Sequence, residues 1–276
     1  MRKRQTAKLK ILLGLLAVAA VAMCIRLSQA RAQDSDRDGF TDQQEIEGIT
    51  LVDGSRVESC LDVAGNYLCD DPTVRRFRLD PETPDLFVIL VQANPSSLPA
   101  NPLEFVTKSL AEGGLGITIH EISPAQAGPD REITPTQKAV RVTESLDTSV
   151  QILGIANYGT PNQLDQASVF TERIRSYVSS VCANATNYCG DDTGLILGPD
   201  AIADVYIKHT IAHEIGHMLS LAAEYNKRFG GYHYKSGSQV IMEQSVMYTS
   251  KSKGRLVTFY MSTDYAAPDL IGAVLK

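Results

Sequence analysis

The chain has no internal repeat and no low-complexity tract in its 276 residues, so repeat arrays and compositionally biased linkers are excluded. It has no excess of positive charge: 26 Lys and Arg stand against 32 Asp and Glu, net −6. Nucleic acid is therefore not an expected partner. No pair of CxxC hooks is present, which argues against a cysteine zinc site. The apolar run at residues 11–25, ILLGLLAVAAVAMCI, falls short of the roughly 20 residues a membrane-spanning helix needs.

What that run does fit is an export leader. Arg2, Lys3, Arg4, Lys8 and Lys10 precede it without an acid, and Ala30-Arg31-Ala32 offers small residues to a signal peptidase. Residues 1–32 read as a signal peptide cleaved after Ala32, with an uncleaved signal anchor as the competing reading; Met23 argues against a lipoprotein site at Cys24. Cleavage leaves no stable membrane anchor. It also removes seven basic residues and no acid, leaving 19 basic against 32 acidic, net −13. An acidic exported chain suits solubility and calcium binding. Cys60, Cys69, Cys182 and Cys189 remain, an even count that favours disulfides. Spacing favours Cys60–Cys69 and Cys182–Cys189.

Residues 34–45, DSDRDGFTDQQE, match the 12-residue calcium loop at every position. Asp34, Asp36, Asp38 and Asp42 offer carboxylates, Phe40 a backbone carbonyl and Glu45 a bidentate carboxylate, while Gly39 permits the turn. The competing reading is an acidic linker. No entering helix fits between the cleavage site and the loop. The segment thus resembles the isolated loops of dockerin and thrombospondin type 3 repeats, and is expected to act as a structural calcium clip.

Along the chain, residues 85–91, 115–122 and 150–156 read as strands, and 102–113 and 165–181 as helices. Residues 123–135 read as a loop, and 50–84 as a connector pinned by the first cysteine pair. The expected organisation is a leader (1–32), a calcium-loop and disulfide-bearing extension (33–80) and a main domain (81–276). The expected fold is α+β or α/β, one mixed sheet covered by two long helices.

Residues 213–217, HEIGH, carry the chemistry. Two imidazoles four apart lie on one face of a helix and can hold one zinc ion. Glu214, beside the first ligand, can act as general base. The apolar spacing of residues 200–221 and Pro199 ahead of it place the motif in a helix of about 20 residues. The bland alternative is a pair of hydrogen-bonded core histidines. Catalytic zinc takes three protein ligands and an open position. His209 stacks along the same helix and diverges from a tetrahedral site, and His120 ends a distant strand. His233, after the turn-permitting pair Gly230-Gly231, is the preferred third ligand, with Glu224 or Glu243 competing.

HEIGH followed by Ser245-Val246-Met247-Tyr248 resembles the metzincins, a clan of zinc endopeptidases. The resemblance implies a zincin-like sheet subdomain above an irregular C-terminal subdomain. It implies Met247 as an apolar floor under the zinc, and Tyr248 as a hydrogen-bond donor to the oxyanion. The family pattern HExxHxxGxxH is not kept: Ser220 and Ala223 stand where the glycine and third histidine belong. Closing the site from His233 then needs an insertion, as in the leishmanolysin-type members, and a gluzincin with a glutamate ligand stays open. The expected function is a secreted zinc endopeptidase acting on protein or peptide substrates. The alternatives are a calcium-binding adhesion module with a non-catalytic zinc, and a zinc hydrolase of non-protein bonds such as cell-wall amides.

Overall fold

The computed structural model describes residues 33–95, 97–112, 116–135, 137–156, 166–184, 188–191, 197–219, 251–253 and 256–259. The leader lies outside them. The N-terminal part holds helix α1 (Asp42–Glu47), strands β1 (Ile49–Thr50) and β2 (Arg56–Ser59), helix α2 (Pro72–Arg75) and strand β3 (Arg78–Leu79). Thr41 starts α1 through a capping box: its hydroxyl accepts from the Gln44 N–H, and the Gln44 side chain accepts from the Thr41 N–H. β1, β2 and β3 form a small sheet in that order.

The main elements follow. They are β4 (Asp85–Val91), α3 (Glu104–Glu112), β5 (Thr118–Ile122), β6 (Glu132–Thr134), β7 (Gln137–Lys138), β8 (Val140–Ser145), β9 (Gly154–Ala156), β10 (Gln166–Phe170) and α4 (Thr171–Asn184). Then come β11 (Tyr188–Asp191), α5 (Pro199–Met218), β12 (Lys251–Lys253) and β13 (Leu256–Phe259). The central sheet runs β5-β4-β8-β10-β9. Its first four strands are parallel, and β9 joins β10 antiparallel at the edge. The fold is mixed α+β with a mixed sheet.

β4 shows why its sequence is apolar throughout: both faces of the sheet are covered. Leu86, Val88 and Leu90 face a core shared with α3, α4 and α5. Phe87 and Ile89 face the other way, onto Phe40, Ile49, Leu51 and Leu79 of the N-terminal part. Residues 33–80 thus share an apolar core with the sheet. α5 is apolar on nearly all sides because it is buried on nearly all sides. Ile202, Tyr206, Ile207, Ile211 and Ile215 are almost wholly enclosed. Each contributes about 1.5–3 kcal/mol of burial. Gly198 and Pro199 begin the helix, and Leu219 caps it. Arg175–Asp204 (3.2 Å) and Lys208–Glu104 (2.6 Å) tie it to α4 and α3.

Several elements differ from expectation. Residues 165–181 are not one helix: β10 occupies 166–170, and α4 starts at Thr171. The strand expected at 150–156 is confined to Gly154–Ala156. The loop at 123–135 contains a 3₁₀ turn and β6. β8, with Val140, Val142 and Glu144 buried in alternation, is an additional central strand. α5 ends at Met218 with Leu219 as its C-cap, and the rest of the apolar spacing read to residue 221 lies outside the described residues. In the C-terminal part, expected to be irregular, β13 pairs with β11 and β12.

The Cys60–Cys69 disulfide forms as expected, and Cys182 is disulfide-bonded too. A cross-link across so short a loop removes about 2–3 kcal/mol of unfolded-chain entropy. Replacing Cys60 and Cys69 together with serine is expected to lower unfolding free energy by that amount in urea titration. An unchanged midpoint would mean the link carries no stability.

Candidate active site and metal centres

α5 delivers HEIGH to the sheet beside β9 and β10. The histidine spacing does what helix geometry requires. His213 and His217 are buried, their rings lie edge to face, and their Nε2 atoms approach to 3.1 Å. Two nitrogens bound to one tetrahedral zinc at about 2.0–2.1 Å stand about 3.3–3.4 Å apart. The pair therefore fits such an ion with only a small adjustment.

Glu214 is also buried, and its carboxylate takes a hydrogen bond from the Ala156 backbone N–H. Burial pushes its pKa up to about 8, partly offset by that bond. Gly154 makes room for it. A Cβ there would stand 2.4 Å from Glu214 Oε1 and 2.7 Å from Thr210 Cγ2. An isolated glycine in a strand marks such a close approach, but Gly154 does not stand out in the sequence as a site residue. His209 is enclosed one turn earlier, with Nε2 unpartnered. Burial first, and then His213, lowers its pKa to about 3. His233, Met247 and Tyr248, and the competing Glu224 and Glu243, lie outside the described residues.

The second site joins the N-terminal loop to the sheet. Carboxylates of Asp34, Asp36 and Asp38 cluster together, and those of Asp38, Glu45 and Asp85 form a second, fully buried group. This buried triad can hold a metal ion. Gly39 takes φ +97°, the left-handed turn expected of it. The loop is set by its own amides: Gly39 N–H donates to Asp34, Asp38 N–H to Asp36, and Phe40 N–H to Asp38. The Gln137 side chain donates to the Asp38 carbonyl. The Phe40 ring packs edge-on against Phe87 at 5.5 Å.

Asp42 lies outside the two carboxylate groups. Its carboxylate accepts the Ser35 N–H (2.7 Å) and hydroxyl (2.9 Å), closing the loop from the first turn of α1. Electrostatically, the cluster resists ionisation on its own. Burial and then the Asp38 charge push Asp36 up to about 8, burial pushes Asp38 up to about 7, and burial with Asp36 and Asp38 pushes Glu45 up to about 10.

Asp85 and its partner His120 escape the sequence reading. An acid heading the otherwise apolar DLFVILV strand was the available signal. No protein-family model matches the chain, and no curated protein or solved structure matches it.

Proposed function

We propose that the chain is a secreted zinc-dependent endopeptidase of the metzincin type, carrying a structural calcium loop. The observation that supports it most is the approach of the His213 and His217 Nε2 atoms to 3.1 Å, with Glu214, also buried, between them on the same helix turn. A structural site has no need of that carboxylate. His213, His217 and His233 would hold the zinc, which when bound would supply a water of lowered pKa and polarise the scissile carbonyl. Glu214 would act as the general base, accepting a proton and returning it to the leaving amine. The Ala156 N–H holds the Glu214 carboxylate in place, and Tyr248 donates to the oxyanion.

A peptide substrate is supported by β9. Among the described residues no strand pairs with its outer edge, and it runs directly past Glu214. An extended peptide can add to such an edge through main-chain hydrogen bonds. The leader sequence supports secretion. Among the described residues no helix is long and apolar enough to cross a membrane. All-oxygen donors at residues 34–45 support calcium there.

His233→Ala is expected to reduce bound zinc from one per chain to a small fraction after dialysis, by elemental analysis, and to abolish casein cleavage. Normal zinc content in that variant would transfer the third-ligand role to a glutamate.

A further inference from the structure

We propose that Asp85, at the head of the central strand β4, is a ligand of the cation held by residues 34–45, so that one ion bolts the N-terminal loop to the sheet. The proposal rests on the reading of those residues as a calcium loop and extends its ligand set beyond the motif.

Glu45 supplies the observation that calls for an ion. It is fully buried, and neither carboxylate oxygen has a hydrogen-bond partner. A buried carboxylate in that condition is costly unless a cation meets it. Ligand oxygens of Asp38 and Asp85 lie within 4.8 Å of one another and of Glu45. Asp36 adds a further buried oxygen without a partner.

Asp85 is aimed and held. It is fully buried, and its own N–H donates to Asp38 Oδ2 at 2.7 Å. Its Oδ1 is hydrogen-bonded to His120 Nε2 at 2.7 Å, and its Oδ2 accepts the Asp80 N–H at 3.2 Å. Each oxygen has a second lone pair for a cation. His120 is itself fixed by stacking on Phe87 at 4.9 Å. Such orientation of a ligand by hydrogen-bonded neighbours is what a metal site requires of its supporting groups. The donors are all oxygen, and their number suits calcium, which takes six to eight oxygens, over magnesium or zinc.

The consequence is mechanical. β4 lies beside β8, and β8 beside β10, the strand against which α5 packs. An ion shared with Asp85 stabilises the sheet that carries HEIGH, rather than the loop alone.

The test uses the full mature chain with calcium chloride. By calorimetry, Asp85→Asn is expected to bind calcium at least tenfold more weakly, and the calcium-induced rise in Tm at a fixed calcium concentration is expected to shrink accordingly. Wild-type affinity with an unchanged Tm rise in Asp85→Asn overturns the role of Asp85 while leaving the loop as a calcium site. No calcium binding by the wild type overturns both. Should Asp85→Asn not fold, amide hydrogen exchange of the wild type decides. Calcium is expected to slow exchange in β4 and β5 as well as in residues 34–47. Protection confined to 34–47 overturns the proposal.

Discussion

Glu214→Gln is expected to lower casein hydrolysis by about a thousandfold or more, with zinc content and circular dichroism unchanged. The magnitude follows from general-base catalysis, worth about 10²–10⁴-fold. Glutamine keeps the shape and can still accept the Ala156 N–H, so the fold has no reason to change. What it loses is the capacity to take a proton. Retained hydrolysis would remove Glu214 from the chemistry and leave HEIGH as a metal-holding motif alone.

Gly154→Val is expected to cut activity about a hundredfold through the same carboxylate. Even a single carbon at Gly154 lands 2.4 Å from Glu214 Oε1 and 2.9 Å from its Cγ. Either Glu214 swings away or β9 lifts, and a displacement near 1 Å at a reacting group costs about two orders of magnitude. Zinc should stay bound, because His213 and His217 do not depend on that space. Combined with Glu214→Gln, the valine should add little, since two changes acting through one group are not additive. Additive losses in the double variant would place the damage elsewhere. Gly198→Ala serves as the control, for a Cβ there meets nothing within 4 Å.

Sequence and structure agree where a single signal dominates. Residues 85–91 are a continuous apolar run of strand length, and β4 spans them all. α5 is apolar over its whole length, begins at Pro199, and carries HEIGH in its last turns. The acidic cluster is legible from its spacing: carboxylates of Asp34, Asp36 and Asp38 gather in one group, and Glu45 joins Asp38 in the buried one.

Elsewhere local pattern and tertiary context separate. β10 runs into α4 without a glycine or proline, so Val169 and Ile174 fit one helical stripe although a strand–helix junction lies between them. The alternation in β8 is short and half polar, yet the parallel pairing with β4 and β10 makes it central. Asp85 becomes a site residue only because β4 turns its odd-numbered side chains toward the N-terminal loop, a fact of packing and not of spacing. Gly154 matters because α5 approaches β9, two elements far apart in the chain. The contact of Asp42 with Ser35, which closes the loop, is likewise a fact of packing and not of the motif.

The most direct measurement is zinc content and casein cleavage on one preparation of the mature chain. One zinc per chain, cleavage lost with 1,10-phenanthroline and restored by added zinc, is the expected result. A zinc-replete chain that cleaves no peptide substrate, or cleavage that persists after the metal is stripped, would contradict it.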